Sequence, residues 1–264
     1  MSERVQVTID NAVATVRLSR PGKLNALDAE MFEAVIRAGE QILANNSVRA
    51  VVLHGEGRAF SAGLDFASFM GKPELMQKLL ARSGKSPANV AQRIAWIWQE
   101  VHVPVIAAVH GVAFGGGLQI ALGADLRYVA ADAQLSVLEI KWGLIPDMSI
   151  SQTLTRLVPL DVAKELTFTG RVVSGSEAVE LGLATKVSAD PLADALETAK
   201  LIATKSPHAI RAGKALLNDA PSMSRANALK LETALQVGLL GSPNQMEAVQ
   251  ANMMKRQPDF KDPD

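Results

Sequence analysis

Cysteine is missing from all 264 residues, which removes disulfides, thiolate metal ligands and a cysteine nucleophile together and fits a reducing compartment. Charge of one sign is not in excess. Lys and Arg number 27 against 27 Asp and Glu, so the balance offers nothing to a nucleic acid or an anionic membrane surface. No apolar run approaches the roughly 18 to 20 residues that span a bilayer. The stretch from Met1 to Leu18 alternates like a strand and lacks the apolar core and cleavage site of a signal peptide, so a cytoplasmic protein is expected. Histidine is scarce, and His54, His102, His110 and His208 show no paired ligand spacing; no metal is expected. A Gly-Lys-Ser/Thr phosphate loop and a Gly-x-Ser-x-Gly elbow are also missing, which sets aside P-loop and serine-hydrolase chemistry. What is present is an ordinary globular composition, 48% hydrophobic and 20% charged, enough for one core with a small appendage.

Val5 to Ile9 and Val13 to Leu18 alternate about Asp10-Asn11, the pattern of a hairpin. Phe32, Val35, Ile36, Ile42 and Leu43 follow at helical spacing with Asp28 as N-cap, and Ala50 to Leu53 reads as a buried strand. A second amphipathic helix is expected over 88–101. Pro104 to Val109 then returns as a strand running into Gly111 and the triple glycine Gly115-Gly116-Gly117. Leu126 to Ala130 and Leu135 to Leu138 supply two more short strands, and after Asp147 the chain reads as helix. The class is α/β, with a core over 1–190 and a helical C-terminal region over 191–264. The polar stretch Gly71 to Pro87 is expected to be a mobile loop bordering a binding site.

Two turns are rich in small residues. Gly57 to Asp65 follows a buried strand, and His110 to Gln119 ends a strand and opens a helix whose first amides have no partner inside the helix. If amides from both turns converge, they form an oxyanion hole, where one donor is worth about 3 to 4 kcal/mol in a transition state. The plainer alternative is that the triple glycine merely turns the chain. A dinucleotide loop fits less well, because Ile120 stands where its third glycine belongs.

The sequence resembles the crotonase, or enoyl-CoA hydratase/isomerase, superfamily along nearly its whole length. The matching pieces come in the family's order: RPGKLNAL at 20–27, GRAFSAGLD at 57–65, PVIAAVHGVAFGGGLQIALGADLR at 104–127, LEIKWGLIPD at 138–147, TGRVVSGSEAVELGLATKV at 169–187 and the tail DFKD. The resemblance implies a crotonase-like spiral of ββα units with a helical C-terminal trimerisation region, assembled as a homotrimer or hexamer. It implies a coenzyme A thioester as substrate, with no separate cofactor. Oxyanion amides fall on Leu64 and Gly116. Contacts to CoA fall on the backbone of Lys23, Leu24 and Ala62, and on Lys255, which matches a lysine reaching a neighbouring subunit's CoA phosphates. Ala67 and Asn252 depart from a lysine and an aromatic residue that commonly help to hold CoA.

A hydratase of this family uses two glutamates, and this chain keeps the second, Glu139, with Gln119 at the first position. An amide orients groups by hydrogen bonds but takes no proton at neutral pH, so Gln119 is expected to hold the acyl chain or a water. Leu138, Ile140 and Trp142 surround Glu139 in sequence, an apolar setting that raises a carboxyl pKa. Asp147 has two readings. Before Ser149-Ile150-Ser151 it suits a helix N-cap; by resemblance to dienoyl-CoA isomerases, which carry a second acid at this offset, it pairs with Glu139 in proton transfer. Double-bond isomerisation is therefore expected ahead of hydration by Glu139 alone. Two other classes are weaker. A non-catalytic acyl-CoA-binding member would not need Glu139, and an RNA-binding member carries a lysine-rich first helix where this one has Glu30, Glu33 and Glu40.

Overall fold

A computed structural model describes residues 4–82 and 86–263. The hairpin forms from β1 (Val5–Asp10) and β2 (Val13–Leu18), with Asp10 opposite Val13. Its turn is Asn11-Ala12, one residue later than the sequence pattern placed it. Both residues lie at positive φ, the conformation that matches the twist of a two-residue hairpin, and Asp10 remains in the strand. Asp28 then caps α1 (Ala29–Leu43) by accepting from the Met31 amide at 2.9 Å.

From this point the chain repeats one pattern. β3 (Ala50–Gly55) enters a large sheet, Ser61 bridges to Ala113, and the helices α2 (Phe66–Phe69), α3 (Pro73–Leu80) and α4 (Val90–Glu100) follow. β4 (Val105–Val109) enters the large sheet, β5 (Val112–Phe114) a small one, and α5 (Gly116–Gly123) follows. β6 (Leu126–Val129) and β7 (Gln134–Ser136) divide in the same way before a 3-10 turn at Glu139–Trp142 and the helices α6 (Ile150–Leu157) and α7 (Leu160–Thr169). β8 (Val173–Ser174), α8 (Gly175–Glu180) and β9 (Lys186–Val187) complete the sheets, ordered β1-β2-β3-β4-β6-β9 and β5-β7-β8. Past the hairpin every pairing in the large sheet is parallel, so each return needs a crossover, and the helices supply it. Strand pairs split between two sheets, each followed by helix, make the expected spiral of ββα units.

The alternation of side chains fixes the two faces of the large sheet. Val13, Ala50, Val52, Ile106 and Ala108 pack under Ala195, Ala199 and Ala203 of α9 (Pro191–Ala203), whose small residues let the helix lie close. Val16, Leu53, Val105, Ala107 and Val109 belong to the main core with Phe32, Ile94, Trp98 and Leu118. The chain ends in α10 (Pro207–Asp219), α11 (Arg225–Leu239) and α12 (Pro243–Met253). α11 buries no residue, and Leu229, Val237, Leu240 and Met253 are exposed around it. Among the described residues no helix is long and apolar enough to cross a membrane.

Two expectations are corrected. The loop expected over Gly71 to Pro87 contains α3, started by Pro73 at its first position and Glu74 in its first turn, while residues 83–85 lie outside the described ones. Leu138 is not in a strand. β7 stops at Ser136, and Leu138 instead precedes the 3-10 turn that carries Glu139.

Candidate active site

The two small-residue turns are stitched together by backbone. Ser61 donates its amide to Val112 and accepts from Phe114, and Phe60 donates to the His110 carbonyl, so Gly57 to Asp65 lies as an extra strand beside β5. On its other side Leu27 donates to the Gly63 carbonyl at 2.8 Å and accepts from Asp65 at 3.0 Å. A parallel bridge of this kind uses the groups on either side of Leu64 and turns the Leu64 N–H away. That N–H and the Gly116 N–H have no acceptor among the described residues, and both residues line one cavity. Close approach demands glycine here. A Cβ at Gly63 would sit 2.5 Å from the Phe114 carbonyl oxygen and 3.5 Å from the Gly116 nitrogen, and Gly63 itself lies at φ 83°. The triple glycine does more than turn the chain, since a Cβ at Gly117 would meet the Ser61 carbonyl at 2.4 Å. The two turns thus bring unpaired amides of Leu64 and Gly116 to one wall.

Residues that carry no chemistry hold this cradle, and sequence reading passed over them. Asn25 is fully buried at φ 54°; its side chain donates to the Glu56 and Ala59 carbonyls at 2.9 and 2.8 Å and accepts from the Arg20 amide. Asparagine tolerates the left-handed region, which was the available signal within the 20–27 motif. Arg20 pairs with Asp65 at 2.8 Å and with Asp28 at 3.4 Å, tying the residue after Leu64 to the cap of α1. Of the residues assigned to CoA, Lys23 ends an exposed 3-10 turn, Leu24 accepts from the Ala62 amide at 2.9 Å, and the Ala62 carbonyl receives no donor among the described residues. Lys255 is exposed beyond α12 and does not line the cavity.

The cavity, about 360 Å³, is apolar, within the size range of small-molecule sites. Phe32, Phe66, Leu79, Trp142 and Met148 form much of its wall, and the Phe66 and Trp142 rings meet with centroids 4.3 Å apart. Among the described residues on that wall, Glu139 and Asp147 carry the ionisable side chains. Burial holds the Glu139 carboxyl above its ordinary value; hydrogen bonds, including one from Gln119, pull the other way, and the Asp147 charge adds to the rise. The Glu139 Oε2 atom is buried and has no hydrogen-bond partner among the described residues. Asp147 is also pushed up, by the apolar wall around it. It is not a helix cap: α6 begins at Ile150, and Ser149 at φ 65° occupies the cap position, its hydroxyl donating to the Gln92 carbonyl and not capping the helix.

Gln119 is bound within the protein. It is buried, lies off the cavity wall and has both ends of its amide engaged: Nε2 donates to Glu139 Oε1 at 2.6 Å and Oε1 accepts from the Met148 amide at 2.8 Å. Its side chain lies where the first turn of α5 meets the 138–148 segment and bridges the Glu139 carboxyl and the Met148 backbone.

Amides without acceptors among the described residues and a half-buried glutamate thus meet within a spiral of ββα units, and similarity to known proteins gives the chain its family. The sequence model of the enoyl-CoA hydratase/isomerase family matches residues 8–263, and the chain belongs to that family. A Bacillus subtilis protein named "Probable enoyl-CoA hydratase" is 34% identical, covering 97% of this chain and 98% of its own. The peroxisomal Δ(3,5)-Δ(2,4)-dienoyl-CoA isomerase of Arabidopsis thaliana is 32% identical over 98% of this chain and 96% of its own. The crystal structure of enoyl-CoA hydratase from Bacillus anthracis superposes with a TM-score of 0.90 at 29% identity, covering 98% of this chain and 99% of that one.

Proposed function

We propose that this family member moves a carbon–carbon double bond along the acyl chain of an enoyl- or dienoyl-CoA. The observation that carries the reading is the cavity wall itself: among the described residues its ionisable side chains are two carboxyls, and the nearby amide of Gln119 is already engaged. Adding water by the two-glutamate route needs an acid at the position that Gln119 occupies, and an amide takes no proton at neutral pH. Shifting the bond needs a group that removes a proton from one carbon and a group that returns one to another, which two acids on an apolar wall can do.

In a 3-enoyl thioester, the Leu64 and Gly116 N–H groups hold the carbonyl oxygen and acidify C2. The Glu139 carboxylate takes a C2 proton, the electron pair runs into a dienolate, and a proton returned to C4 leaves the 2-enoyl product. With a 3,5-dienoyl thioester the proton returns to C6. Asp147 serves as the second acid for the more distant carbon. Burial supports Glu139 in this role, because a carboxylate whose pKa is held above its ordinary value is a stronger base toward the C2 proton than a solvated one. The CoA moiety would lie along Lys23, Leu24 and the free Ala62 carbonyl, with Lys255 offered to a neighbouring copy, and the exposed apolar side chains around α11 are suited to self-association. Hydration of a 2-enoyl-CoA by Glu139 alone is the second reading, favoured by the hydratase names of relatives.

The test is turnover of 2-enoyl-, 3-enoyl- and 3,5-dienoyl-CoA. Double-bond migration is expected, with Glu139→Gln lowering kcat by about 10³-fold or more while CoA-ester binding is retained. Asp147→Asn should cost the dienoyl substrate about 10- to 100-fold and the 3-enoyl substrate less. Hydration of the 2-enoyl ester without migration would overturn the isomerase reading.

A further inference from the structure

We propose that Gln119 is a positioning residue that locks Glu139 through one oxygen, leaves the other as the proton carrier, and holds the Asp147 turn in register with it. The inference rests on the reading of Glu139 as the base. Its observations are the 2.6 Å bond from Gln119 Nε2 to Glu139 Oε1, the 2.8 Å bond from the Met148 amide to Gln119 Oε1, the near-total burial of Gln119, and the unpartnered Glu139 Oε2.

The orientation of this amide is forced. A backbone N–H only donates, so the Met148 amide fixes the oxygen of Gln119 on its side and leaves the NH2 group facing Glu139. An N–H pointing at Oε1 occupies that oxygen as an acceptor. Oε2 is then the more basic of the two and takes the proton when Glu139 carries one. The bridge survives both protonation states, because Oε1 accepts from Nε2 whether or not Oε2 is protonated. Gln119 itself neither gains nor loses a proton. Gly115 completes the arrangement: a Cβ there would lie 3.0 Å from Glu139 Oε1, so the carboxylate rests against bare backbone on that side.

One residue further along the chain from Asp147, Met148 carries the other end of the bridge. A single neutral side chain thus spans 20 residues to one acid and 29 to the turn of the other, and sets their separation. A glutamate at 119 could accept from Met148 but would present an oxygen to Glu139 Oε1 and force the pair to share a proton. Glutamine supplies the geometry without that coupling.

The experiment compares wild type with Gln119→Met, which keeps the length and apolar packing of the side chain. Glu139 is titrated by 13C NMR of the labelled carboxyl in the ligand-free protein, assigned by its loss in Glu139→Gln. Asp147 is the ionisable neighbour that bears on Glu139, and it is unchanged in both proteins. The lost donor favoured the carboxylate, so the Glu139 midpoint should rise by about one pH unit or more. The alkaline-rising limb of kcat should move with it, with KM within about twofold of wild type. An unmoved midpoint together with a tenfold or greater rise in KM would overturn the proposal and return Gln119 to substrate binding. Should Gln119→Met not fold, a crystal structure of wild type with a saturated acyl-CoA decides: Oε2 closest to C2 with Gln119 still on Oε1 supports the lock, and Gln119 turned to the ligand refutes it. The titration needs no turnover, so a protein inactive on every enoyl-CoA would sink the proposed reaction while leaving the lock to be judged separately.

Discussion

The two walls of the cavity are built on opposite principles. The amide wall, residues 57–65 and 110–119, is cross-bridged by backbone on both sides and carries glycine at 63, 111 and 117, where a neighbour's carbonyl oxygen stands where a Cβ would be. The acid wall, residues 138–148, is a 3-10 turn and an irregular stretch in which Trp142, Leu144 and Ile145 are exposed and Ser149 enters the next helix without a side-chain cap. Amide donors act through position alone, so their wall is stitched on both sides. Carboxyls act through proton affinity, so theirs needs an apolar, partly dry setting and one firm tether, which Gln119 provides.

If that contrast is real, damage to the amide wall should be costly in both stability and rate. The largest effect is expected for Gly63→Ala. The new Cβ would lie 2.5 Å from the Phe114 carbonyl oxygen at φ 83°, so the chain must move where Leu64 presents its amide. Thermal unfolding should show a loss of about 2 kcal/mol or more, and kcat should fall by about 10²-fold or more as the donor leaves its place. Near-wild-type kcat would mean that the amide wall yields as easily as the acid wall, and the comparison would fail.

A smaller and differently shaped effect is expected from Ile145→Ser. Ile145 is 76% exposed yet borders the cavity, so the fold has little to lose and an apolar ligand has a surface to cover. Stability should change by less than about 0.5 kcal/mol. KM should rise several-fold for long acyl chains and little for a four-carbon chain, since each buried methylene is worth about 0.8 kcal/mol. Equal changes in KM across a chain-length series would show that Ile145 does not meet the acyl group.

The two walls also differed in how far the sequence disclosed them. Leu64, Gly116, Glu139 and Asp147 could be singled out because the resemblance to the family is carried by short local motifs that contain them. The role of Gln119 was out of reach, because its partners lie 20 and 29 residues away and a glutamine alone does not say which way its amide faces. Asp147 looked equally like a cap until Ser149 proved to hold that place in a left-handed conformation. β5 hid between glycines as three residues that read as turn, although it anchors the small sheet. The α3 helix was missed because one buried residue, Leu79, leaves almost no periodic pattern in a polar stretch, although Pro73 and Glu74 marked its start. The large sheet was the most legible part, since both faces of a parallel strand are buried and leave dense apolar runs.

The smallest expected effect concerns the cost of keeping carboxyls on an apolar wall. Glu139 has its folded pKa raised above 4.5 and Asp147 above 3.8, so the folded protein holds their protons more tightly than the unfolded chain does. Stability contributed by these groups is therefore present below the unfolded values and falls as pH rises through the folded ones. Wherever they ionise, the two carboxylates cost the fold stability. Glu139→Gln should remove the larger burial of charge while still accepting a hydrogen bond from Gln119, and should melt a few degrees above wild type at pH 7. At pH 4, where the wild-type carboxyl is already neutral, that difference should vanish. Differential scanning calorimetry at the two pH values measures it, and a variant less stable than wild type at pH 7 would show that the charged form is better solvated than its burial implies.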